Sequence, residues 1–479
     1  MEKMTAWLER FILPVATKMG SQKHLVALRD AFIGTMPATM AGSIAVMINA
    51  IIRDLPAQFI DGYNGAEIPV LKQIIAVNGF VWNGTIAIAG LIFAFSWGYN
   101  LAKAYNVNVL AGGIVSLAAL MQGIAFSYST AIKGDVPAKL VETINADTAN
   151  SGWSATADGI TATGWGWLNL NHLNGNAFFT AMIIGFISVV IFAKLMQRNI
   201  TIKLPDSVPP AVSNAFAAII PATAALYVVA IFNYVFNLAT NMLFIDWVQE
   251  MIAKPLMGFS QGLGALIVIQ LAIQLFWFFG IHGTNVMAPV LEGIFGQAQL
   301  INIDVFQKGY DGLTGTPAVL AAIEDGKAYQ WVRGSFDAFS MFGGSGGTLV
   351  LILAILMFSK RADYLTMGKL ALGPGIFNIN EPVMFGLPIV LNAIMFIPFV
   401  VAPVVSTIIG YLATSWGLVA PVSQAVTWVV PPVLLSFLAT GADWRAPIVT
   451  IVCMLVSFAI WAPFVIAANK LDPDLEENQ

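Results

Sequence analysis

Phe377-Asn378-Ile379-Asn380-Glu381-Pro382-Val383-Met384-Phe385-Gly386-Leu387-Pro388 sets one carboxylate between two amides and a proline, inside a run otherwise built of Phe, Ile, Met and Val. An ionisable group at membrane depth is costly, so in apolar surroundings it reads as a functional site. Proline at 382 keeps the preceding residues out of a regular mid-helix setting, because the residue before proline avoids the α region. Backbone broken at such depth is tolerated only where it is buried in protein or lines a polar cavity. The stretch predicts a polar hairpin tip that carries Glu381 into the middle of a membrane protein. The alternative is a carboxylate capping a helix at the lipid–water boundary. The largely apolar sequence that continues for a full helix length on the C-terminal side favours the first reading.

Composition supports a membrane protein. Hydrophobic residues make up 58% of the chain and charged residues 10%, where a soluble domain carries roughly 25% charged residues. Mean hydropathy is +0.79, and several windows reach the roughly 20 apolar residues that cross a bilayer. The net charge of -4 equals the contribution of the tail acids Asp472, Asp474, Glu476 and Glu477. No basic stripe suggests nucleic acid. The single cysteine, Cys453, lies in an apolar run, which excludes an internal disulfide and a cysteine metal cluster. The N-terminus lacks the short apolar core and small-residue cleavage site of a signal peptide.

Along the chain, Trp7, Phe11, Ile12 and Val15 predict an amphipathic helix on the membrane face. The basic residues before the first span place this end in the cytoplasm. Spans are expected near 31–52, 79–99, 107–127, 177–197, 213–237, 262–281, 338–359, 389–414 and 446–468. Residues 238–260 read as an interfacial connector. The Gly-, Pro- and charge-interrupted regions 283–337 and 364–388 suit re-entrant hairpins, the broken elements that build midplane sites in transporters. The expected fold is an all-α integral membrane protein of about ten transmembrane helices, with re-entrant hairpins and interfacial amphipathic helices. The charge rule leaves one conflict. Lys203 and Lys360-Arg361 both suit the cytoplasm, yet an odd number of clear spans separates them. Residues 128–175 read as a long polar loop and lid candidate. Its Trp165, Trp167, Asn169, Asn171, His172 and Asn174 suit either sugar handling or interfacial anchoring.

A second polar intrusion is Trp277-Phe278-Phe279-Gly280-Ile281-His282-Gly283-Thr284-Asn285. Its histidine is either a helix-end residue satisfied by a carbonyl or part of a site shared with Glu381. Two ligands without a third are a weak metal signal, and no metal or cofactor is expected. A proton-coupled carrier would use the same pair as a relay.

Gly280-Ile281-His282-Gly283, Asn378-Ile379-Asn380-Glu381-Pro382 and Lys203-Leu204-Pro205-Asp206-Ser207-Val208-Pro209 together resemble the membrane permease, enzyme IIC, of the bacterial sugar phosphotransferase system (PTS), in its lactose, cellobiose and diacetylchitobiose family. Agreement extends to Phe32-Ile33, Met36-Pro37, Asn83-Gly84-Thr85, Gly343-Gly344-Ser345-Gly346 and Arg361-Ala362-Asp363-Tyr364. The resemblance implies a membrane domain over 8–470, followed by an acidic tail at 471–479. It implies a multi-pass protein of the bacterial cytoplasmic membrane, paired with itself as a homodimer. The substrate is a β-linked disaccharide, with a cellobiose-like β-glucoside expected first. Its 6-hydroxyl is phosphorylated by a phosphocysteine on enzyme IIB, expected as a separate chain because Cys453 lacks an exposed electropositive setting. The implied roles are Glu381 as base or hydroxyl orienter, and His282 as a bond to the hydroxyl or incoming phosphoryl group. Trp277 and Trp428 would stack on the sugar, with Gly283, Asn380, Asn83 and Asn176 completing the sugar-binding set. An ion-coupled sugar carrier and a sugar sensor that moves nothing are the rival readings.

Overall fold

The computed structural model describes residues 22–54, 56, 60, 62–146, 152–205, 207–387, 389, 390 and 392–469. The expected N-terminal amphipathic helix and the acidic tail lie outside the described residues. Six described helices are long and apolar enough to cross a bilayer: Lys23–Arg53, Pro69–Ala104, Gly175–Gln197, Pro210–Thr240, Ile394–Ser415 and Arg445–Ala468. Phe244–Ser260 and Leu263–Phe278 form a further pair, bent by 81° at its break. Val109–Met121 and Thr348–Phe358 are shorter apolar helices. Every expected span overlaps one of these elements. By Cα proximity the chain divides into two units, Met1–Ile86 with Ala253–Gln479, and Ala87–Ile252.

The first unit opens with α1 (Lys23–Asn49), a π-helical turn at Ala50–Asp54, and α2 (Pro69–Asn83). The second unit is built on α3 (Ala89–Ala104), α4 (Val109–Met121), α5 (Phe178–Gln197) and α6 (Pro210–Thr240). Helices α3 and α4 approach so closely that a methyl group on Gly112 would strike Ala102. Small residues at such crossings let backbones meet where lipid supplies no hydrophobic drive.

Between α4 and α5 the expected polar loop is folded. Strands β1 (Ser127–Lys133), β2 (Trp153–Thr156) and β3 (Gly159–Trp165) form an antiparallel sheet in the order β1-β3-β2, with Ser127 opposite Trp165. Asn145, on the Ala138–Ala146 helix, bonds both the N–H and the carbonyl of Ala155, which ties that helix to β2. Two of the loop's asparagines are engaged locally: Asn169 and Asn174 accept from the backbone N–H groups of Asn171 and Asn176. His172 is buried, accepting from Ala125 N–H at Nδ1 and lying 2.8 Å from Asp246 Oδ1 at Nε2.

The first unit resumes with α7 (Leu263–Phe278), α8 (Gly283–Val286), α9 (Thr348–Phe358), α10 (Ala362–Ile376), α11 (Glu381–Gly386), α12 (Ala393–Ser415) and α13 (Arg445–Ala468). Helix α9 begins ten residues later than the expected 338–359 span. Gly343, Gly344, Gly346 and Gly347 all have positive φ, so this segment turns instead of continuing a helix. Trp461 on α13 donates to the Gly346 carbonyl at 3.1 Å and fixes the glycine loop against the helix. Region 283–337 holds only short helices, the longest being Gln297–Lys308.

Candidate functional site

The two polar intrusions share one backbone device. Helix α7 ends at Gly280, whose φ is 74°; its N–H bonds Trp277 O, and Ile281 N–H bonds Phe276 O. Helix α10 ends at Asn378, whose φ is 63°; its N–H bonds Gly375 O, and Ile379 N–H bonds Pro374 O. Both are Schellman closures, which require a left-handed residue and therefore favour Gly or Asn. In each, isoleucine follows the left-handed residue and the chain enters a short helix at once. His282 caps the first of these helices, and Glu381 begins the second.

The closures bring the two candidate side chains together. His282 Nε2 lies 3.9 Å from Glu381 Oε1, and the side chains are 39% and 49% exposed, so both are open to a ligand. His282 Nδ1 accepts from Asn285 N–H at 3.3 Å and meets Thr284 Oγ1 at 3.0 Å. The neutral ring with Nδ1 as acceptor carries its proton on Nε2, toward the carboxylate. The gap is too long for a direct hydrogen bond. An oxygen about 2.8 Å from each group would close the triangle at roughly a right angle. The pair is therefore shaped to hold one hydroxyl between a donor and an acceptor.

Around His282, Trp277 lies with its ring centroid 4.3 Å from the imidazole, but it is only 1% exposed. Its ring backs the histidine. A Cβ on Gly283 would collide with Ile273 O and sit 2.8 Å from Trp277 Cδ1, so glycine permits this packing. Around Glu381, Asn380 is buried and donates to Ser345 O at 3.3 Å. Trp428 is 38% exposed, leaving part of its ring available. Asn378, missing from the sequence-based set, joins the loops: it accepts from Gly343 N–H at 2.8 Å and donates to Trp428 O at 2.6 Å and Val430 O at 2.9 Å. Its detectable signal is an asparagine where a helix must close. Asn83 is exposed at the end of α2, with no hydrogen bond to His282 or Glu381 among the described residues. Asn176 belongs to the other unit, where it accepts from Gln249 at 3.3 Å. Among the described residues no group of three His, Cys, Asp or Glu side chains is placed to hold a metal.

Residues 29–403 match the family described as Phosphotransferase system, EIIC. The chain is 48% identical over 498 residues to the PTS system cellobiose-specific EIIC component of Lactococcus lactis subsp. lactis (strain IL1403), covering 98% of this chain and 99% of that protein. It is 31% identical over 474 residues to the PTS system oligo-beta-mannoside-specific EIIC component of Bacillus subtilis (strain 168), covering 98% and 96%. The crystal structure of the transporter ChbC, the IIC component from the N,N'-diacetylchitobiose-specific phosphotransferase system, aligns with a TM-score of 0.83 at 30% identity. That alignment covers 99% of this chain and all of the other.

Proposed function

The chain belongs to the phosphotransferase system EIIC family, and on that premise we propose that it carries a β-linked disaccharide across the bacterial cytoplasmic membrane and presents its 6-hydroxyl for phosphorylation. The 3.9 Å separation of His282 Nε2 from Glu381 Oε1 is the observation that carries the reading. A sugar hydroxyl in that gap donates to Glu381 and accepts from His282. As its oxygen attacks phosphorus, the bond from phosphorus to the donor cysteine sulfur breaks and the hydroxyl proton passes to Glu381. A positioned base supplies such a step with typically 10²–10⁴-fold. The imidazole N–H then faces charge on the transferred oxygens, where electrostatic stabilisation acts. Trp277 and Gly283 hold the histidine, while Asn380 and Asn378 hold the loop that presents the acid.

The phosphocysteine belongs to a separate enzyme IIB. A cytoplasmic N-terminus, on the basic residues that precede the first span, and a homodimer, on the resemblance alone, complete the proposal. Cellobiose is the first substrate to test, because the 48% identical relative is named for it. The test is uptake of radiolabelled cellobiose by proteoliposomes, with and without phosphorylated enzyme IIB inside. Sugar phosphate should accumulate only with the donor. Free sugar accumulating under an imposed ion gradient would overturn the proposal and recast Glu381 as a coupling-ion site.

A further inference from the structure

In the same unit as His282 and Glu381, but lined by neither, a cavity of about 870 Å³ opens beside Arg53, Gln307 and the start of α13. Its place across the membrane follows from two helices. Helix α1 starts beside Lys23 and Arg29 and leads into the turn carrying Arg53 at the cavity. Helix α13 starts at the cavity with Arg445, and its far end is tied to the other basic loop, where Asn469 accepts from Lys360 N–H at 2.8 Å. A helix of 24 residues spans about 36 Å, a bilayer thickness. Basic residues mark the cytoplasmic face, and Lys23, Arg29, Lys360 and Arg361 outnumber Arg53 and Arg445 at the cavity end, which favours a cavity that opens outward.

The lining suits a neutral polyol better than an anion. Asp443 is fully engaged, accepting from Arg445 Nε and Nη2 at 2.9 Å and from the backbone N–H groups of Ala420 and Arg445. Arg445 is thereby neutralised, and Arg53 is bonded to Gln307 Oε1 at 3.2 Å. Gln307 Nε2 is buried and has no hydrogen-bond partner among the described residues. An orphaned buried donor costs about 1–3 kcal/mol unless something supplies an acceptor. On the same lining Trp444 is 63% exposed, which offers an indole face for stacking. An acceptor-rich ring with one apolar face answers both features, and the volume falls within the roughly 300–1,000 Å³ of small-molecule sites.

We propose that this cavity is a second saccharide site, which receives the incoming sugar at the outward face before the His282–Glu381 pair engages it. The inference rests on the reading of the chain as a sugar permease. The test is the kinetics of sugar phosphate formation in proteoliposomes loaded with phosphorylated enzyme IIB, using Trp444→Ala, Trp444→Phe and Gln307→Leu. Trp444→Ala and Gln307→Leu should raise KM for cellobiose about tenfold at unchanged kcat, and Trp444→Phe should restore it. Equilibrium binding in a His282→Ala background should leave a weak cellobiose site that Trp444→Ala removes. Unchanged KM in folded variants, or a change in melting temperature alone, would overturn the site and leave Trp444 as an interfacial anchor. A phosphatidylglycerol-dependent rise in melting temperature that Arg53→Gln abolishes, with KM for sugar unmoved, would assign the cavity to lipid instead. Wild-type protein that forms no sugar phosphate with the donor would defeat the permease reading itself, a result separable from normal turnover with indifferent Trp444 and Gln307.

Discussion

At the scale of single residues, the proposed roles separate holding a hydroxyl from removing its proton. Glu381→Gln keeps a carbonyl acceptor of the same shape but cannot accept a proton. Cellobiose affinity should stay within a few-fold while sugar phosphate formation falls by at least ~10²-fold, measured by equilibrium binding and single-turnover rates. A variant that turns over normally would remove Glu381 from the base role. His282→Ala removes the donor to the hydroxyl and to the transferred oxygens, so both binding and turnover should fall; retention of both would reduce His282 to a helix cap. The residue types were legible because a carboxylate and an imidazole in apolar runs are costly and call for a reason. Their meeting was implied by the resemblance and not legible in the residues themselves, because tertiary contact between distant loops sets the 3.9 Å distance. Trp277 shows the same limit: an aromatic five residues before the histidine was recognisable, but its burial behind the imidazole was not.

At the scale of elements, the Schellman closure makes a polar tip between apolar helices sustainable. It satisfies the last carbonyls of α7 and α10 and turns the chain within two residues. At Gly280 the closure needs only a missing Cβ, whereas at Asn378 the side chain also fastens the glycine loop and the 428–430 segment. Asn378→Gly should therefore keep the closure and lose three hydrogen bonds, at ~1 kcal/mol each. Asn378→Ala should cost about 1–2 kcal/mol more, because alanine resists the left-handed region. Melting temperatures in detergent test the order wild type, glycine, alanine; equal values for all three would mean that the pins carry no stability. The spans were readable from long apolar runs. The glycine loop was misplaced into a span because Phe, Met and Ala surround it, and its positive φ angles depend on Asn378 and Trp461. The small sheet was hidden because β1 is exposed along its whole length and carries no buried face to produce an alternating pattern. Its anchor is testable. His172→Leu loses the bonds to Asp246 and Ala125 N–H and should speed amide exchange in β1, with α5 unaffected.

At the scale of the whole molecule, His282 and Glu381 lie within one of the two units, so in the proposed mechanism hydroxyl and base belong to the same unit. Sugar can then be carried without being changed, and only phosphorylation makes the passage irreversible. Each tenfold accumulation of free sugar requires about 1.4 kcal/mol from some source. In this mechanism the only source is the transferred phosphoryl group. A cellobiose analogue lacking the 6-hydroxyl should therefore equilibrate across proteoliposomes and stop at the external concentration, with or without phosphorylated enzyme IIB. The Glu381→Gln protein should treat cellobiose in the same way, and a protonophore should leave both plateaus unmoved. The analogue forfeits its bond to the His282–Glu381 pair, so its entry should saturate at higher concentration than that of cellobiose. An analogue concentrated above the outside level, or a plateau that collapses with the protonophore, would show that transport is driven by a proton gradient and that Glu381 binds the coupling ion.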